Sequence, residues 1–277
     1  MTLSLAIATA GTEGIRRVAS MLLPLQEGVS YVVSWQRHGF TDIPAALKRD
    51  DVEVYRYDVP GLSNNRNNAL RHCSSDIVLF ADDDVTYRKD AFSKIRKFFE
   101  KCPDVDVALF RADYPFKKSY PEKATVLKLP FPRNYYPASI EIAFQRERIG
   151  DLKLSPLLGL GAPEMTAGED EFFIISAIKR GLKCMFVPVT ICTHPDTPTG
   201  ESTPTEGQIM ASGAIIRAAN PHTGPLRLLL QARRLSRLHP LSNPNPDSPN
   251  PPTPLSGPSI LRLLRLGASK LPTLFRL

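Results

Sequence analysis

The chain has 277 residues, 42% of them hydrophobic and 23% charged, enough apolar material for one sizeable core. Residues 1–226 are charge-balanced, so the whole net charge of +7 lies in residues 227–277; this argues against a nucleic-acid-binding core and for a basic tail that meets an anionic partner. Four cysteines without close spacing (Cys73, Cys102, Cys184, Cys192) form neither a zinc knuckle nor a disulfide framework, and no secretory leader or long apolar run is visible, which together predict a cytoplasmic protein without a spanning helix.

In chain order, Leu3–Ala8, Val29–Ser34, Val52–Tyr55 and Ile77–Ala81 are short apolar or β-branched runs that predict strands. Helical stretches separate them at Ile15–Leu23, Pro44–Lys48 and Ser63–His72, an alternation that predicts a mostly parallel sheet with crossover helices. Asp90–Cys102 follows as an amphipathic helix with Ala91, Ile95, Phe98 and Phe99 on one face. Strands are expected at Val105–Phe110 and Ser139–Phe144, with a long Lys-, Pro- and Tyr-rich loop from Asp113 to Tyr136 between them. A helix over Glu169–Arg180 is stopped by Gly181, and short strands follow at Cys184–Val187 and Thr190–Thr193. The proline density of Pro240–Pro258 predicts a linker between two Leu/Arg stretches, Leu226–Leu238 and Ile260–Leu277.

The sharpest chemical signal is Asp82-Asp83-Asp84, directly after the apolar run Ile77–Ala81. Three adjacent carboxylates repel one another, and at the carboxyl end of a parallel strand they face the crevice where open α/β sheets bind ligands. A hard divalent cation shared with a diphosphate offsets that repulsion; a solvated acidic turn is the plainer alternative. Upstream, Gly61–Asn68 places Ser63 as a helix N-cap and brings Arg66 and Asn67 to the positive end of the helix dipole, where a phosphate or base can be held. Gly168-Glu169-Asp170-Glu171 opens a second helix; the acidic residues suit the dipole by themselves, and Asp170 becomes a candidate general base if the fold brings it near Asp84. His194 is either a structural imidazole or a ligand that completes a metal site with Asp84. Gln36, at the end of the second strand, is a candidate nucleobase contact.

These signals in this order resemble the family 2 glycosyltransferases of the GT-A fold, of the bacterial polysaccharide and lipopolysaccharide type. Asp82-Asp83-Asp84 is similar to that family's DxD motif, Gly61–Leu70 to its small-residue helix with Arg-Asn, Gly168-Glu169-Asp170 to its ED motif, and His194 to its late metal-ligand histidine. The resemblance covers residues 1–225 and leaves 226–277 as basic amphipathic segments joined by the Pro-rich linker. It implies a Rossmann-like α/β domain in which Asp82 contacts the donor ribose, Asp83 joins it in the binding site, and Asp84 and His194 hold Mn²⁺ or Mg²⁺ on the diphosphate. It further implies that Arg66, Asn67 and Thr9 hold the nucleotide and that Asp170 is the base of an inverting transfer. The chain departs from the family pattern at the end of the second strand, where Val32-Val33-Ser34-Trp35-Gln36 replaces acidic residues followed by Ser.

The implied activity is transfer of a sugar from a nucleotide-diphosphate sugar to a hydroxyl of a glycan or lipid-linked acceptor, in cell-surface glycan synthesis, without nucleic acid. The alternating Leu and Arg of the tail suit an anionic membrane surface on the cytoplasmic side. A peripheral membrane adaptor and a nucleotidyltransferase are the alternatives; the latter wants a Gly- and Lys/Arg-rich loop after the first strand, where Ala8-Thr9-Ala10-Gly11-Thr12-Glu13 stands instead.

Overall fold

The computed structural model describes residues 1–39, 41–195, 204–238 and 256–275. The alternating runs of the first half become parallel strands β1 (Leu3–Ala10), β2 (Val29–Gln36), β3 (Val52–Arg56) and β4 (Ile77–Asp82), side by side in the order β3-β2-β1-β4. Helices α1 (Gly11–Met21) and α2 (Leu62–His72) are the crossovers into β2 and β4. The second half adds β5 (Thr86–Tyr87), α3 (Ala91–Lys101), β6 (Val107–Asp113), β7 (Thr125–Val126), β8 (Ile142–Gln145), α4 (Glu169–Lys179) and β9 (Cys184–Thr193). The sheet continues from β4 as β8-β6-β9-β5, with mixed directions, and β7 pairs with β9.

Strand periodicity divides the core between the two faces of the sheet. Ile77, Leu79 and Ala81 of β4 pack with Ile15 and Val18 of α1 and Phe92, Ile95 and Phe99 of α3. Val78 and Phe80 point the other way, into a cluster with Ala69 of α2 and Phe173, Ile174 and Ala177 of α4. β1 has β2 on one side and β4 on the other, so the chain reverses its winding between β1 and β4, and a crevice opens at their carboxyl ends, where Ala8 pairs with Asp82.

Several elements differ from the pattern-based expectation. Pro44–Lys48 holds only a single 3₁₀ turn, Ala45–Leu47, and the expected strand at Ser139 opens with another, Ser139–Glu141. Gly61, at a φ of 99°, is the N-cap of α2, and Ser63 lies inside the first turn instead of capping it. The two strands expected near the end of the domain are one, because Pro188 falls where the β6–β9 register slips between Leu109–Phe186 and Arg111–Thr190, a place where a missing N–H costs no ladder bond.

The chain divides into two compact units, Met1–Pro156 with Glu169–Thr197, and Leu157–Gly168 with Pro198–Leu277. The sheet and α1–α4 belong to the first. The second contains α5 (Glu206–Ala219), α6 (Gly224–Leu238), α7 (Gly257–Ser269) and the short α8 (Leu271–Leu274). The boundary expected after residue 225 lies in the first turn of α6, and most of the expected linker, residues 239–255, lies outside the described residues. Ile209, Leu228, Ala232, Ile260 and Leu264 form this unit's core. Its helices α5 and α7 meet backbone to backbone: a Cβ on Gly213 would sit 2.0 Å from the Leu264 carbonyl oxygen, and one on Gly267 1.8 Å from that of Met210. Among the described residues no helix is long and apolar enough to cross a membrane.

Candidate active site

The strand alternation that builds the core also sorts the three aspartates. Ala81 faces α1, so Asp82 faces α2 and α4, and Asp83 turns back toward α1. Asp83 Oδ2 accepts a 2.5 Å hydrogen bond from Thr9 Oγ1, and its Oδ1 accepts from Arg17 Nε and Nη2 at 3.0 and 2.8 Å. Gly14 makes this approach of α1 possible, since a Cβ there would lie 2.3 Å from Thr9 Oγ1 and 2.7 Å from Asp83 Oδ2. Asp84 is directed at His194, whose Nε2 is 3.5 Å from Asp84 Oδ1. Three neighbours in sequence thus have three different partners.

On the α2 and α4 side the centre is Arg66, only 2% exposed. Its Nη2 donates to Asp82 Oδ1 and to Ser139 Oγ, both at 2.7 Å; its Nη1 donates to Glu169 Oε1 at 3.0 Å and Asp170 Oδ1 at 3.2 Å. The second oxygen of Asp170 accepts the Ser139 backbone N–H at 2.9 Å. Burial works against the guanidinium charge, but Asp82, Asp170 and Glu169 outweigh it and raise the Arg66 pKa above its ordinary value. One cation does not neutralise three carboxylates. Burial, opposed by Arg66 and reinforced by Glu169 and Asp82, therefore holds the Asp170 carboxyl well above the usual range.

Asp84 Oδ1 is buried and has no hydrogen-bond partner among the described residues. An orphaned carboxylate oxygen beside an imidazole fits a hard divalent cation that draws its remaining ligands from a diphosphate and water. It does not fit an all-protein cage: among the described residues no group of three or more His, Cys, Asp or Glu side chains is arranged to hold an ion. A cavity of about 390 Å³ opens beside it, lined by Arg17, Ser20, Asp83, Asp84, Thr86 and Pro195 among others.

Of the residues singled out from sequence, the structure joins Thr9 to Asp83, Asp82 to Arg66 and Asp170, and Asp84 to His194. It does not bring Gln36 or Asn67 to them. Gln36 Nε2 donates to the Val59 and Gly61 carbonyls, and Asn67 both donates to and accepts from the Leu154 backbone, at 2.8 and 2.9 Å. Arg66 makes its contacts to carboxylates, Asp82 at the end of β4 and Glu169 and Asp170 at the start of α4. Sequence reasoning missed Arg17, Gly14 and Ser139. It also missed a buried cluster in which Glu141 Oε1 accepts from Lys118 Nζ at 2.6 Å, Tyr120 at 2.5 Å and Tyr114 at 3.2 Å; the Tyr114 ring lies 5.8 Å from that of His194. The Lys- and Tyr-rich composition of the 113–136 loop was the available signal, but nothing in it points to Glu141.

Residues 38–151 match the family model described as "Glycosyl transferase family 2". Among solved structures, the chain is similar to S. aureus TarS, at a TM-score of 0.57 and 17% identity over 88% of this chain and 44% of that one. It is similar also to residues 1–349 of S. aureus TarS in complex with UDP-GlcNAc (TM-score 0.56, 17% identity, 86% of this chain and 72% of that one). The complex of the same fragment with UDP gives a TM-score of 0.56 and 18% identity over 87% and 73%. The chain thus spans less than half the length of the longer TarS chain. No curated protein matches in sequence.

The half-buried carboxyls at the start of α4 give this region a pH signature. Burial, with Glu169 beside it, pushes Glu171 up to about 7. A carboxyl raised in the folded state binds a proton that the unfolded chain has already released, so its stabilising contribution is complete below the ordinary value of 4.5 and is lost as pH rises through about 7. Denaturant unfolding of wild type and Glu171→Gln should show wild type losing stability relative to the variant between those pH values. A difference that stays flat across that window would contradict the assignment.

Proposed function

We propose that this chain is an inverting, metal-dependent glycosyltransferase that uses a nucleotide-diphosphate sugar, a reading supported by the match of residues 38–151 to the family model of glycosyl transferase family 2 and by the GT-A-like sheet. The observation that carries this reading is the convergence of Asp82, Asp84, His194 and Asp170, up to 112 positions apart in sequence, at the carboxyl ends of the strands beside the β1–β4 switch point. The bound nucleotides named for the TarS structures support a nucleoside-diphosphate donor of the same class.

The crevice between β1 and β4 takes the nucleotide beside Thr9, Asp82 and Asp83. Asp84 and His194 would hold Mn²⁺ or Mg²⁺. The ion would supply charge neutralisation of the diphosphate leaving group. Asp170 removes the proton of the acceptor hydroxyl. Its raised pKa brings the carboxylate nearer in basicity to that task, and Arg66 with the Ser139 N–H fixes both of its oxygens in direction. Attack of the hydroxyl oxygen on the anomeric carbon forms the new glycosidic bond as the bond to the diphosphate breaks, inverting the anomeric configuration. Free nucleoside diphosphate is the by-product; pyrophosphate would indicate nucleotidyl transfer instead.

A membrane surface completes the reading, with a lipid-linked or cell-surface glycan acceptor. One side of α6 packs Leu228 and Ala232 inward. The other exposes Leu226, Leu229 and Leu230 among Arg227, Arg233, Arg234 and Arg237, with no acidic residue on the helix. Leucine bodies among arginines on one exposed face suit the boundary of an anionic bilayer.

Two experiments test the proposal. In a nucleotide-sugar panel with Mn²⁺, Asp170→Asn should bind donor while turning over about 10²–10⁴-fold more slowly, and Asp84→Ala should lose metal response and donor binding together. Near-normal turnover by Asp170→Asn would reject the base assignment. In flotation, the full chain should rise with phosphatidylglycerol vesicles and not with phosphatidylcholine, and Arg233→Glu/Arg234→Glu should abolish the difference. Equal flotation of both forms would dismiss the membrane contact.

A further inference from the structure

A second cavity, about 520 Å³ in volume, lies between α2 and the segment that follows β8. Its size is that of a small-ligand site. Arg71, Arg146 and Lys153 line it, and Asp151 is the sole carboxylate in the lining. Asp151 is already paired with Arg180. Arg71 Nη2 donates to the neutral Asn68 Oδ1 at 2.7 Å, and Arg146 Nε is buried with no hydrogen-bond partner. Among the described residues none of the three cations has a carboxylate partner. Elsewhere in this unit Arg49–Asp51 and Lys118–Glu141 pair half-buried or buried cations with carboxylates. The lining of this cavity instead carries a local excess of positive charge.

The cavity is not part of the carboxylate site. Gln145, which precedes Arg146, pairs with Ile77 at the start of β4, whereas Asp82 ends that strand. Five strand steps separate the two levels, about 17 Å. The lining runs along α2 from Arg71 in its last turn to Asn64 in its first, about 10 Å, and reaches Tyr57 beyond.

We propose that this cavity binds a phosphate ester, with the phosphoryl group held by Arg71, Arg146 and Lys153 and the esterified part running toward Asn64 and Tyr57. Guanidinium groups bind phosphate oxygens through paired N–H donors, which suits two arginines that lack anionic partners. The phosphate is that of a phosphorylated saccharide, since the donor nucleotide belongs to the β1–β4 crevice, and the experiment separates the two. Neither the metal site nor the transfer reaction is needed for the inference to hold.

The test is calorimetric titration of the full chain with glucose 1-phosphate, glucose and UDP, with Arg146→Gln and Lys153→Glu as variants. Lys153 is exposed, so its variant keeps the fold even if Arg146→Gln does not. Glucose 1-phosphate should bind where glucose does not, and each variant should weaken it by at least about tenfold, the loss of one charge-assisted hydrogen bond. If saturating UDP leaves that binding unchanged, the occupant is a phosphorylated saccharide. If UDP displaces it and the variants weaken UDP equally, the cavity holds a nucleotide and the proposal of a separate saccharide-phosphate site is overturned. Failure of glucose 1-phosphate to bind at millimolar concentration, or equal binding by wild type and both variants, would overturn the proposal.

Discussion

Arg66 carries a single positive charge into a buried place where Asp82, Glu169 and Asp170 converge. Among the described residues of the first unit it joins four separate pieces of chain. It ties α2 to the end of β4, to the start of α4 and to the 139–141 turn. Without it the carboxylates would repel one another in a low-dielectric setting, and burying unpaired charge is among the most costly changes a fold can suffer. With it the cluster is held together but remains net negative; burial raises Asp170, the neighbouring carboxylates add to the rise, and Arg66 opposes it. The same contact therefore fixes the geometry of the candidate base and limits how far its proton affinity rises.

The β4 alternation supplies the second constraint. A strand ending in three aspartates cannot send them all to one place. Asp82 goes to the α2 and α4 face, Asp83 to the α1 face, and Asp84 continues forward to His194. Asp84 is thus adjacent in chain to the Arg66 cluster but has its side chain directed at His194. The two ionic centres meet through backbone. The Glu141 cluster then anchors the 114–120 segment, so the Tyr114 ring stands beside His194.

Much of this was legible in the sequence, and the limits have physical causes. β1, β2 and β4 were readable because their burial demands nearly uninterrupted apolar runs, whereas the half-exposed β3 showed only as a β-branched run and the helix expected at Pro44–Lys48 is a single 3₁₀ turn. The Asp triplet was readable because three like charges after such a run call for a counter-charge. The partner of each aspartate was not, because Arg66 and Asp170 are 104 positions apart and local pattern carries no information about their meeting. The carboxylate partners of Arg66 were not readable either, because an arginine in the first turns of a helix suggests an external anion and these partners lie 16 to 104 positions away. Helix α5 went unread although Thr205 and Gln208 form a capping box at its start, a signal available in the sequence alone. The close packing of α5 on α7 at Gly213 and Gly267 shows only when both backbones are present.

The central claim is that one arginine holds three carboxylates in place. Urea unfolding of Arg66→Met near neutral pH measures it most directly. The account predicts a loss of about 3–5 kcal/mol, the size expected when one partner of a buried ionic cluster is removed. A loss under about 1 kcal/mol, the range of an exposed ion pair, would contradict it.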